Sequence, residues 1–126
     1  MTGEQILVVE DNEKNMKLFR DVLAATGYRT LEATTGGEAV DLASEYTPDL
    51  VLMDIQLPDL DGVEALRRLR ANERTATIPV LALTAQAMRG DRERFLEEGF
   101  DGYLSKPVNV RELIGVVREH CQGRVG

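Results

Sequence analysis

The sequence predicts an α/β domain built on a parallel sheet with helices on both faces. Three observations predict it. Five short runs alternate with five amphipathic segments, three of the runs are apolar almost without interruption, and reactive polar side chains stand where four of them end. Alternation of this kind is the pattern of βα units around a parallel sheet. Strands covered on both faces lose their inside–outside alternation and read as continuous apolar runs.

The first run is Ile6-Leu7-Val8-Val9, closed by Glu10 and Asp11. The helix after it offers Phe19, Val22 and Leu23 on one face and should stop at Gly27, since glycine tolerates the left-handed geometry past a helix end. Arg29-Thr30-Leu31-Glu32-Ala33 alternates in polarity, so the second strand belongs at a border of the sheet. Thr35-Gly36-Gly37-Glu38 sets a capping residue three positions before a glutamate, the spacing of a capping box. The pair Gly36-Gly37 is therefore a helix start; the Gly-x-x-x-x-Gly-Lys spacing of a phosphate loop is absent.

The third run, Leu50-Val51-Leu52-Met53, is closed by Asp54, and Asp61-Gly62-Val63-Glu64 opens the next helix. The fourth, Val80-Leu81-Ala82-Leu83, is closed by Thr84. Its helix carries Glu93, Arg94, Glu97 and Glu98 as a solvated face and should end at Gly99. Gly102-Tyr103-Leu104-Ser105 precedes Lys106, and Asn109-Val110-Arg111-Glu112 opens the last helix. Val110, Leu113, Ile114, Val117 and Cys121 recur at helical spacing and should face the sheet. Residues 4–121 are read as one domain, and 122–126 as a frayed tail.

A chain of 126 residues suits a single domain. Its formal charge is −7, with an isoelectric point near 4.7, and no basic stripe suited to nucleic-acid phosphates is visible. The apolar stretches are strand-sized, so no membrane span is expected, and Met1-Thr2-Gly3-Glu4 does not resemble a signal peptide. Cys121, the only cysteine, cannot form an internal disulfide; it reads as a small buried hydrophobe in a protein of the reducing cytoplasm. His120, the only histidine, cannot by itself build a metal cluster or a triad; at a helix end it reads as a favourable partner of the helix dipole.

If the runs are parallel strands, Glu10, Asp11, Asp54, Thr84 and Lys106 meet at the carboxyl edge of the sheet, where open α/β sheets bind ligands. Any one of them alone would read as a cap or a turn residue; their coincidence at four strand ends is what argues for chemistry. Two like charges about 4 Å apart repel by roughly 4 kcal/mol at an effective dielectric of 20, a penalty that a bound cation removes. Mg²⁺ suits such a site because it takes oxygen ligands and keeps several waters. Asp11 and Asp54 are the expected direct ligands, Glu10 binds directly or through water, and the backbone carbonyl of Gln56 completes the set. Asp54 is the expected nucleophile and phosphorylation site, because a carboxylate can form an aspartyl phosphate. Lys106, the Thr84 hydroxyl and the Ala85 N–H would hold phosphoryl oxygens, the positioning and charge stabilisation on which phosphoryl transfer mainly depends.

Over residues 4–121 the chain resembles the receiver domains of two-component response regulators. The resemblance lies in Ile6-Leu7-Val8-Val9-Glu10-Asp11-Asn12, Met53-Asp54-Ile55-Gln56-Leu57-Pro58-Asp59-Leu60-Asp61-Gly62, Leu83-Thr84-Ala85 and Ser105-Lys106-Pro107. It implies a flavodoxin-like doubly wound (βα)5 sheet of order 2-1-3-4-5, an order already associated with this family. It implies Mg²⁺-dependent transfer of a phosphoryl group to Asp54 from a histidine kinase or a histidine phosphotransfer protein. It also implies a cis peptide before Pro107, and a switch in which Thr84 moves toward the phosphoryl group while Tyr103 turns inward. The readout would then be a protein contact on the face of helix four, strand five and helix five, or onward relay of the phosphoryl group. The resemblance also implies that Gln56 and Gln86 flank the path of hydrolytic water and tune dephosphorylation. Glu10 departs from the aspartate of many receivers, and its longer arm suits a water-mediated metal contact. Thr84-Ala85-Gln86-Ala87-Met88-Arg89-Gly90-Asp91 resembles receivers of hybrid kinases and of stand-alone cell-division regulators.

Such a module is not an enzyme in its own right, catalysing only its own phosphorylation and dephosphorylation, and no output domain is expected after helix five. A small aspartyl-nucleophile phosphatase is the alternative. It requires a second acid two residues after the nucleophile, where Gln56 stands. A flavin binder is disfavoured because the acids after the first strand would repel a cofactor phosphate.

Overall fold

Each of the five runs forms a strand and each amphipathic segment a helix. The computed structural model describes residues 3–85 and 91–122. The strands are β1 (Gln5–Val9), β2 (Arg29–Ala33), β3 (Leu50–Asp54), β4 (Val80–Thr84) and β5 (Gly102–Ser105). The helices are α1 (Glu13–Ala25), α2 (Gly36–Tyr46), α3 (Gly62–Ala71), α4 (Asp91–Glu98) and α5 (Val110–Gln122). All pairings are parallel, in the order β2-β1-β3-β4-β5, so β2 is a border strand. Asp54 and Thr84 turn out to be the last residues of their strands rather than the first beyond them.

Alternate residues of each inner strand feed opposite cores, which is why those runs are apolar throughout. Ile6, Val8, Leu50, Leu52, Leu81 and Leu83 pack with Met16, Phe19 and Leu23 of α1 and with Leu113, Val117 and Cys121 of α5. Leu7, Val9, Val51, Met53, Val80 and Ala82 face α2, α3 and Phe95 of α4. Each large apolar side chain taken out of water contributes roughly 1.5–3 kcal/mol. On β2 only Ala33 is buried, and Glu32 instead accepts two bonds from Arg20 of α1. Among the described side chains of α4, Phe95 alone is buried; Glu93, Arg94, Glu97 and Glu98 lie in solvent.

Asn12, Thr35 and Asp61 cap α1, α2 and α3, their side-chain oxygens accepting from Asn15, Glu38 and Glu64 amides. Asn109 does the same for Glu112 at 3.0 Å. Gly27 and Gly99 hold φ of +94° and +113° just past α1 and α4. One expectation for α5 is corrected: Val110, in the first helical position, is 42% exposed, because the stripe reaches the sheet only from Leu113 onward. Gln122 is the last residue of α5, and the rest of the expected tail lies outside the described residues.

The amino edge of the sheet is tied by Arg70 in the last turn of α3. Its guanidinium donates to the carbonyls of Ala76, Ile78 and Gly99 and to Asp101, whose carboxylate also accepts the Val80 amide. That single side chain joins the ends of α3 and α4 to the starts of β4 and β5.

Candidate functional site

The parallel order brings the ends of β1, β3, β4 and β5 together at the carboxyl edge. Glu10 and Asp54 are 1% and 4% exposed, and they are not left to repel each other. Lys106, just past β5, places its Nζ 2.7 Å from Glu10 Oε1 and 2.7 Å from Asp54 Oδ2. The second oxygens accept backbone amides: Asp54 Oδ1 from Gln56 at 2.9 Å, and Glu10 Oε2 from Asn12 at 3.1 Å. Burial pushes the Glu10 carboxyl above its ordinary range, against the pull of Lys106 and the Asn12 amide and with the help of the Asp54 charge. Burial draws the Lys106 ammonium down, but its bonds and charge attraction to Asp54 and Glu10 outweigh this and hold it above its usual range.

Asp11 stands exposed at the rim. One oxygen from each of Glu10, Asp11 and Asp54 falls within 4.8 Å of the others, a three-carboxylate set of the hard-oxygen kind. The set opens onto a cavity of about 490 Å³ whose walls include Gln56, Leu57, Pro58, Ala85 and Lys106. Thr84, 7% exposed, sits one residue back from Ala85, and its carbonyl accepts the Lys106 amide at 2.7 Å. The Lys106–Pro107 bond is cis. Tyr103 is partly buried on the α4 side, its ring 6.0 Å from that of Phe95. Gln86 lies outside the described residues, as does most of the Thr84–Asp91 stretch.

Two features had no local sequence signal. Asp59 reaches from the β3–α3 loop to α2, where its oxygens accept the Gly36 and Gly37 amides at 2.7 and 2.9 Å. These amides hold the Asp59 carboxyl below the usual carboxylate range. Gly62, at the start of α3, donates to the Ile55 carbonyl at 2.8 Å, and a Cβ there would lie 2.6 Å from the Asp54 carbonyl oxygen. His120 Nδ1 lies 2.7 Å from the Val116 carbonyl oxygen, which accepts its proton, within its own helix. Among the described residues, no helix is long and apolar enough to cross a membrane.

A five-stranded parallel sheet in this order, with a lysine bridging two buried acids at its carboxyl edge, is the arrangement expected of a receiver domain of two-component signalling proteins. The chain belongs to the response regulator receiver domain family, whose model matches residues 6–118. It is 48% identical over 117 residues to the polar-differentiation response regulator DivK of Brucella ovis, covering 93% of this chain and 95% of that one. The receiver domain of the sensor histidine kinase PA1611 from Pseudomonas aeruginosa, crystallised with a magnesium ion in its active-site cleft, is 40% identical. It superposes with a TM-score of 0.88 over 96% of this chain and 99% of that one. The chemotaxis response regulator CheY4 of Vibrio cholerae shares the fold at 24% identity, with a TM-score of 0.88 over 94% and 99% of the two chains.

Proposed function

We propose that this receiver takes a phosphoryl group onto Asp54 from a phosphohistidine of a histidine kinase or a phosphotransfer protein, in the cytoplasm. The observation that carries the reading is Lys106 Nζ set 2.7 Å from both Asp54 and Glu10 in a buried, otherwise like-charged cluster. An Asp54 carboxylate oxygen attacks phosphorus, the P–N bond breaks, and the imidazole leaves with the bonding pair. Lys106 then exchanges a carboxylate oxygen for a phosphoryl oxygen, and the Thr84 hydroxyl and Ala85 N–H donate to the others. Glu10, Asp11, Asp54 and the Gln56 carbonyl would hold Mg²⁺, which supplies positive charge that screens the incoming phosphoryl oxygens from the acids. The magnesium in the related PA1611 receiver supports this donor set. The phosphatase alternative stays disfavoured, because Gln56 offers no second carboxyl group as general acid.

Incubation with acetyl phosphate and Mg²⁺ should add one phosphoryl group by intact mass. Borohydride reduction converts an aspartyl phosphate to homoserine, so peptide mapping should find homoserine at position 54. An adduct elsewhere, or one formed equally in the presence of a chelator, would overturn the assignment.

Output follows from the neighbourhood of the site. Thr84 ends the strand beside β5, and Tyr103 on β5 is only partly buried against Phe95 of α4. If Thr84 is drawn to the phosphoryl group, Tyr103 turns inward and the α4–β5–α5 face changes for a partner protein. Both states must differ in contacts for the phosphoryl group to shift them, typically by about 1–3 kcal/mol. Adding beryllofluoride with Mg²⁺ should move amide resonances from Asp54 through Thr84 to Tyr103 and the flanking helices. Shifts confined to the loops around Asp54 would exclude this route.

A further inference from the structure

The loop between β3 and α3 forms one wall of the carboxylate cavity through Gln56, Leu57 and Pro58. Its neck is closed by the Gly62 amide on the Ile55 carbonyl, and its first residues are held by the Gln56 amide on Asp54. Its far end is held differently. Asp59 spans the first two amides of α2 with both oxygens, at 2.7 and 2.9 Å. The double glycine makes that approach possible: a Cβ at Gly36 would lie 2.6 Å from the Leu60 side chain, and one at Gly37 would lie 3.3 Å from Asp59 Oδ2. Gly36-Gly37 is thus an anion seat at a helix start, and its anion is supplied by the same chain.

We propose that Asp59 is a positioning residue for the metal site, latching the β3–α3 loop to α2 so that Gln56 is held in the wall of the cavity it shares with Asp11 and Asp54. This rests on the metal reading given above. Leu57 and Leu60 also pack on the core, so loss of the latch loosens the orientation of the loop rather than its attachment. Asp59 itself is exposed and lies outside the cavity wall; it acts through the backbone between residues 56 and 59. Supporting partners of metal ligands commonly alter affinity by 10–100-fold when removed, and an exposed carboxylate three residues away belongs at the low end.

Calorimetric titration of the whole chain with Mg²⁺ tests the latch. Asp59→Ala should bind Mg²⁺ about tenfold more weakly, with Asp59→Asn, which keeps one acceptor oxygen, between it and the parent. The amide resonances of Gly36 and Gly37 should move in both variants before any metal is added, reporting loss of the carboxylate. Arg70→Ala, at the opposite edge of the sheet, should lower the melting temperature yet leave Mg²⁺ affinity unchanged, separating positioning from general weakening. If the parent binds Mg²⁺ and Asp59→Ala binds it equally well, the latch is wrong. If the parent binds none, the metal reading fails first and the latch with it.

Discussion

Lys106→Ala is expected to give a folded but weakened protein whose missing stability returns with Mg²⁺. The lysine is the described cation that touches both buried acids, at 2.7 Å each. Removing one partner of a buried ion pair leaves an uncompensated charge, which typically costs 3–5 kcal/mol. The cavity admits water to Asp54, so about 3 kcal/mol is the expected loss without metal. Without the lysine the acids should hold Mg²⁺ more tightly than in the parent. At a concentration about a hundredfold above the variant's dissociation constant but near the parent's, Mg²⁺ stabilises the variant by about 2.7 kcal/mol and the parent by about 0.4 kcal/mol, so most of the deficit closes. Urea denaturation with and without Mg²⁺ measures both quantities. Phosphorylation by acetyl phosphate should also fall about 100-fold even in saturating Mg²⁺, the usual loss when one donor to a developing anion is removed. An equal stability deficit with and without Mg²⁺ would show that lysine and metal do not neutralise the same charges.

Gly62→Ala should be damaging for a steric reason. The new methyl group would lie 2.6 Å from the Asp54 carbonyl oxygen and 2.9 Å from Ile55 Cα, both backbone atoms that no rotamer change can clear. Overpacking of this kind costs about 1–3 kcal/mol, and because only backbone could give way the upper value is expected. The displaced atoms belong to Asp54 itself, so Mg²⁺-dependent phosphorylation should fall along with the melting temperature. Gly115→Ala provides the contrast. Nothing lies within 4 Å of a Cβ at that exposed α5 position, so the substitution should stabilise by about 0.5–1 kcal/mol through helix propensity. A Gly62→Ala protein as stable as its parent would mean that the loop and α3 can separate at no cost.

The features readable in the sequence were those set by near neighbours or by periodicity. Continuous apolar runs marked the strands buried twice over, the alternation of Arg29–Ala33 marked the border strand, and Thr35, Asp61 and Asn109 declared themselves as caps. The carboxyl-edge cluster was legible because parallel topology maps strand ends onto one place. Val110 misled because hydrophobic spacing does not say where a helix first meets the sheet. Lys106 was expected to meet a phosphoryl group; that it also spans Glu10 and Asp54 without one follows from three-dimensional distances no spacing encodes. Asp59 was invisible for the same reason. Its partners lie 22 and 23 residues away, and an aspartate in a loop carries no mark of the helix it will reach.

The thin anchoring of α4 has a mechanical consequence. Where α1 sets Met16, Phe19 and Leu23 into the core and α3 sets Ala65, Leu66 and Leu69, the described side chains of α4 contribute Phe95 alone. The free energy needed to shift an element scales with the apolar contacts it must break, so protein segments with few of them open first. Among the described side chains α4 has the single anchor Phe95, and that anchor rests against Tyr103. If phosphorylation turns that ring inward as proposed, the push acts on a helix with a single buried anchor among its described side chains, and a signal of a few kcal/mol can be spent on surface rearrangement rather than on prising open the core.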